Sequence, residues 1–89
     1  MTVTQAQAVR NGVRLLDRSI PGWRGRLKGG RPFTEADMRS TAGCVLGRLN
    51  GWDMVDVPWL ADYGFNPASM RDSGFATLAR AWNKELGLK

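Results

Sequence analysis

A chain with one cysteine, Cys44, and no histidine has to close its core by apolar packing alone. A disulfide needs two thiols, and structural zinc sites take four ligands drawn from several cysteines, with or without histidines. At 89 residues the chain stands just above the size at which a single core becomes hard to seal without such staples. Trp23, Trp52, Trp59 and Trp82, with Phe33, Phe65 and Phe75, supply what is needed, since each ring buries roughly 150–250 Å² when enclosed. An apolar share of 43% lies in the ordinary globular range. One domain over residues 1–89 is expected, because a second core does not fit.

The apolar spacing points to helices. Val9, Val13, Leu16 and Ile20 recur at i, i+4, i+7 and i+11, which predicts a helix from about Thr4 to Ser19. Pro21-Gly22 ends it, and the glycine-rich, basic stretch Gly22–Pro32 reads as a connection with one helical turn around Trp23–Leu27. Thr34 before Glu35 and Asp37 has the form of a capped helix start. Ser40 or Thr41 offers a second cap ahead of Cys44–Leu49, with Asn50-Gly51 as its stop. Asp56 caps a predicted helix over Val57–Tyr63 that tolerates Pro58 in its first turn and turns Trp59, Leu60 and Tyr63 inward. Asn66-Pro67 repeats that logic, and Gly74–Leu86 is the clearest helix, with Phe75, Leu78, Ala79, Trp82 and Leu86 on one stripe. Met54–Val57 is the nearest approach to a strand. The fold class is therefore all-α, a compact orthogonal bundle of four or five short helices.

Catalytic apparatus does not emerge. Histidine, the commonest general base and metal ligand, is missing, and Cys44 lies in an apolar run that reads as core. Gly25–Pro32 superficially resembles a phosphate-binding loop, but Arg31 and Pro32 stand where lysine and a hydroxyl are required, and no buried strand leads in. Glu35 and Asp37 read as first-turn helix acids rather than a catalytic pair. A helix-turn-helix made of Thr41–Leu49, a turn and Val57–Tyr63 would have a reading helix scarcely two turns long, with Pro58 in it and Asp56 and Asp62 facing phosphates, which weighs against a DNA reader. No enzyme, cofactor or metal is expected, and no run of about 18 apolar residues marks a membrane span. Met1–Ile20 lacks an export signal, so the expected setting is the cytoplasm.

Charge is unevenly distributed. Residues 1–32 hold Arg10, Arg14, Arg18, Arg24, Arg26, Lys28 and Arg31 against Asp17 alone, whereas residues 33–66 hold five carboxylates and two arginines. Such a split either attracts a polyanion or an acidic protein surface, or is complementary within the fold. Arg10, Arg14 and Arg18 drift only about 80° around a helix and so form a ridge away from the valine face. If the following loop folds back beside that ridge, the seven cations make a phosphate-binding patch with Trp23 as a stacking group. Trp23 beside the basic loop and Trp52 after a turn are the indoles best placed for partner contact. A homodimer seam at Trp52 or Phe65 is also open.

Gly12–Asp17, Pro21-Gly22-Trp23, Cys44–Gly51, Tyr63-Gly64-Phe65, Leu78 and Trp82 together resemble a group of small proteins from actinobacteria and their phages that carry no assigned activity. Arg48 stands where that pattern leads one to expect glutamine, and Asn50 where an aromatic is expected. The resemblance implies a phage or prophage setting, in which small accessory proteins act by binding a host or viral component. The expectation is thus a non-enzymatic binding protein with a protein partner, nucleic-acid binding through the basic patch being the alternative.

Overall fold

The computed structural model describes residues 4–27, 30–40, 42–57, 59–68 and 73–88. Its longest element follows from the valine and leucine spacing: α1, Gln5–Ser19, begins where the Thr4 hydroxyl accepts from the Gln7 amide at 3.1 Å. It buries Ala8, Val9, Val13 and Leu16. After the Pro21-Gly22 turn, α2 (Trp23–Leu27) is the single helical turn expected from the sequence. α3 (Glu35–Arg39) carries a full capping box, with the Thr34 hydroxyl accepting from the Asp37 amide while the Asp37 carboxylate accepts from the Thr34 amide. Reciprocal satisfaction of two first-turn donors lets so short a helix persist. α4 (Val45–Leu49) stops at Asn50, which adopts the left-handed conformation at φ 51°. A 3₁₀ helix, Leu60–Tyr63, and α5, Gly74–Leu86, complete the order. The described residues contain no strand, and the all-α bundle stands.

α1 packs on the 3₁₀ helix and on α5, α3 packs on α5, and α2 on α4. Trp82 lies at the centre. Its indole meets Trp23 edge-on and Phe65 nearly parallel, each with ring centroids 6.2 Å apart, and its N–H donates to the Gly64 carbonyl at 2.6 Å. Such aromatic pairs add about 0.5–1.5 kcal/mol each beyond their burial. Two glycines make room for this centre. A Cβ on Gly12 would strike the Tyr63 carbonyl and sit 3.2 Å from the Trp82 ring. Gly64 turns at φ +71° with Val9 only 3.0 Å from where a Cβ would lie. The Cα radius of gyration, 11.7 Å, matches the roughly 12 Å expected of one compact unit this long.

Three local expectations are overturned. Over Val57–Tyr63 the helix begins only at Leu60, with Trp59 as an extended N-cap at φ −135° and ψ 106°. Trp59 therefore points outward and is 70% exposed, while Asp56 caps nothing and Pro58 lies outside the described residues. Upstream, Met54–Val57 alternates instead. Val55 and Val57 pack against the core while Met54 and Asp56 face solvent, the period-two pattern of an extended segment without a partner strand. Asn66, Pro67 and Ala68 are not helical; the chain bends at Asn66 and Ala68, the Ala68 amide donates to the Gln5 side chain at 2.9 Å, and residues 69–72 lie outside the described residues. Ser40 does not cap α4, for its hydroxyl accepts from the amides of Ala42 and Gly43 in the preceding turn. Thr41 lies outside the described residues, and α4 starts from Cys44 without a side-chain cap.

Candidate functional site

The basic residues of the N-terminal third divide once their partners are traced. Arg10, Arg14 and Arg18 are all exposed along α1, as the helical spacing requires. Among the described residues Arg10 donates only to the neutral Gln7 oxygen, at 3.1 Å, and none of the three forms an ion pair. Arg24 lies over the Trp23 ring at 5.0 Å with its Nε 3.9 Å from the Asp17 carboxylate. Arg26 is exposed, and Lys28 falls outside the described residues. Arg31 turns to α3, where its two terminal nitrogens donate to the two Asp37 oxygens at 2.7 and 2.9 Å. The seven cations thus do not form one free patch: Arg31 is engaged by Asp37 and Arg24 by Asp17.

Trp23 corrects the stacking expectation. It is 1% exposed, and its indole N–H donates to Asp17 at 2.8 Å. The ring is a core element, its polar edge satisfied by a carboxylate one helix back, and a base has no access to its face. Phe65 is likewise removed as a dimer seam, being 4% exposed and stacked on Trp82.

Asp37 anchors a network that sequence reasoning missed. Besides Arg31 and the Thr34 amide it accepts from Arg48 at 3.0 Å. Arg48 also donates to the carbonyls of Arg31 at 2.7 Å and Gly43 at 3.2 Å, and its guanidinium lies 3.8 Å over the Phe33 ring. The hydrogen-bonded Arg31 guanidinium holds the Asp37 carboxyl well below the usual carboxylate range; partial burial opposes this and the Thr34 bonds assist. Burial lowers the Arg48 pKa, the neighbouring Arg31 charge adding to the effect and Asp37 countering it. On α5, the Asn83 amide exchanges two hydrogen bonds with the Phe33 backbone, at 2.7 and 2.9 Å. These contacts tie the Arg31–Phe33 stretch to α4 and α5. They are scaffolding, and no oxygen of Asp37 is left poised over an open cleft for chemistry.

The outward-facing apolar chemistry gathers in one connection. Between α4 and the 3₁₀ helix, Trp52 is 38%, Met54 52% and Trp59 70% exposed, and these are the exposed large apolar side chains among the described residues. Asp53, Asp56 and Asp62 on the same stretch are exposed too. Residues 50–63 carry those three carboxylates and no cation. Trp52 borders a hollow of about 110 Å³ that reaches Cys44, Phe65 and Phe75. Of the two indoles expected from the sequence at a partner surface, Trp52 is exposed and Trp23 is not. Trp59 is exposed too, and no local signal marks it: the in-out alternation that begins at Met54 puts position 59 on the inward side with Val55 and Val57.

No group of three or more cysteines, histidines, aspartates or glutamates able to hold a metal ion occurs among the described residues, and none of the described helices is long and apolar enough to cross a membrane. Fold and surface together define a small helical domain with an acidic, aromatic loop on a closed core. No protein family, no curated protein and no solved structure matches the chain.

Proposed function

We propose that this protein is a non-enzymatic binding module whose acidic, aromatic loop docks on a protein partner, in the manner of a phage or prophage accessory protein that engages a host or viral component. The observation that carries this reading is the exposure of Trp52, Met54 and Trp59 on one short connection. Tryptophan and methionine are enriched where proteins meet, and tryptophans dominate interface energetics. Val55 and Val57 pin the segment to the core between them, so the exposed side chains project from an anchored backbone and lose little entropy on binding. Asp53, Asp56 and Asp62 would form the rim, which fits a partner with an apolar pocket bordered by lysine or arginine.

The test is affinity capture from cells that express the protein, with wild type, a Met54→Ser/Trp59→Ala variant and an Arg14→Glu variant as baits. A partner retained by wild type and Arg14→Glu but lost by the loop variant is the expected result. Capture indifferent to the loop variant would count against the reading. Arg14, Arg18 and Arg26 support nucleic-acid binding as the second reading, because they are exposed and form no ion pair among the described residues. Anisotropy titration with single-stranded DNA, duplex DNA and RNA separates the two. Binding that falls steeply with salt and is lost in Arg14→Glu would transfer the function to the basic face.

A further inference from the structure

We infer that the groove between α1 and α5 is a second binding site, for a small amphiphilic anion: a carboxylate or phosphate head on a short aliphatic body. The groove encloses about 460 Å³, within the range of small-molecule sites. Ala6, Val9 and Ala81 contribute apolar lining, and Arg10, Arg80 and Lys84 bring three positive charges against the single carboxylate of Glu85. None of the three cations forms an ion pair among the described residues. Among the described residues, Arg10 and Arg80 reach only neutral oxygens, Gln7 Oε1 at 3.1 Å and Thr77 Oγ1 at 3.4 Å.

Gln5, also in the lining, adds the independent observation. Its Oε1 accepts the Ala68 amide at 2.9 Å, which fixes the orientation of the side-chain amide. Its Nε2 therefore faces the other way as a pure donor, and it is buried without an acceptor. An orphaned buried donor is rare and costly in a folded protein. Gln5 stands in the wall of a cationic, apolar-lined groove, and a small turn of its covered amide toward the groove lets an anionic head held by Arg10, Arg80 and Lys84 accept from it. A short alkyl chain then covers the alanine and valine lining. A nucleic-acid backbone fits less well, since it has no aliphatic part to place there and no groove residue is aromatic.

The site is tested by amide chemical-shift titration with octanoate and octyl phosphate, the two arms separating carboxylate from phosphate preference, and with octanol and inorganic phosphate as controls. Saturable shifts centred on Ala6, Arg10, Ala81 and Lys84 are expected with at least one anionic amphiphile, and weaker binding by both controls. Arg80→Glu reverses an exposed charge and should weaken binding at least about tenfold. Gln5→Glu keeps an oxygen for the Ala68 amide while replacing the orphan donor by an acceptor. It should weaken binding to a similar degree with the thermal midpoint unchanged or raised, because an acid in the first helical turn is favourable. Absence of saturable shifts, octanol binding as tightly as octanoate, or affinity unchanged in both variants would overturn the inference. So would displacement of octyl phosphate from these residues by a single-stranded oligonucleotide, which would assign the groove to nucleic acid.

Discussion

The four tryptophans divide two and two. Trp23 and Trp82 are enclosed, pack edge to face, and spend their N–H groups on Asp17 and the Gly64 carbonyl. Trp52 and Trp59 stand outside on a connection that carries only negative charge. The same side chain thus closes the core in one region and is presented to solvent in the other. What separates the two is backbone geometry. Trp82 sits on the inner stripe of a helix thirteen residues long, whereas Trp59 occupies an extended N-cap whose side chain leaves the surface. In a chain this small, leaving most of Trp59 and over a third of Trp52 in solvent gives up available burial, which is the argument for their having another use.

The largest break in that comparison is Trp82→Ala. It should cost about 3–5 kcal/mol, a large part of the stability of an ordinary domain, and chemical denaturation with far-UV circular dichroism would read it. Gly12→Val comes next, since its side chain must displace the Tyr63 carbonyl or the Trp82 ring. A loss of about 1–3 kcal/mol is expected from such overpacking, with near-UV dichroism changed as the indole shifts.

Asp37→Ala should cost about 2–3 kcal/mol at neutral pH, because it leaves the largely covered Arg48 guanidinium without its carboxylate. The pH dependence sharpens this. The Asp37 carboxyl titrates near 3.9 in the unfolded chain and lower in the folded one. Its contribution is therefore complete above about pH 4 and disappears as pH falls through the folded value. Wild type should lose stability over that acid range, and Asp37→Ala should show a shallower decline in the same melts. Smallest of all, Trp59→Ala should move stability by no more than about 0.5 kcal/mol in the denaturation assay that exposes Trp82→Ala.

α1 and α5 were legible almost to the residue, since each repeats its apolar side chains at helical spacing over three turns or more and ends on a strong stop. The short elements were legible where the cap was local, as at Thr34 or Asn50. Reading failed over Val57–Pro67, where an acid followed by proline, and later an asparagine followed by proline, imitate helix starts that tertiary packing does not use. At Val55 and Val57 the pull of the core on alternate residues outweighs the cap, and Trp59, on the same parity, is turned out where the chain enters the 3₁₀ helix as its N-cap. The Asp37–Arg48 network and the α1–α5 groove were illegible for a different reason. The groove brings together residues far apart in the chain, such as Arg10 and Arg80, and the network joins residues six and eleven apart across a loop and two helices; neither spacing follows a local helical pattern. The basic run itself was plain in the sequence; that Asp37 and Asp17 engage two of its members was not.

The most direct test of the loop as the working surface is site-specific photocrosslinking in cells that express the protein, with a photoreactive residue placed at position 59 in one variant and at position 14 in another. A discrete protein adduct from position 59, absent from position 14 and lost when Met54 is changed to serine, is the predicted result. Adducts to nucleic acid from position 14, with none to protein from position 59, would contradict it.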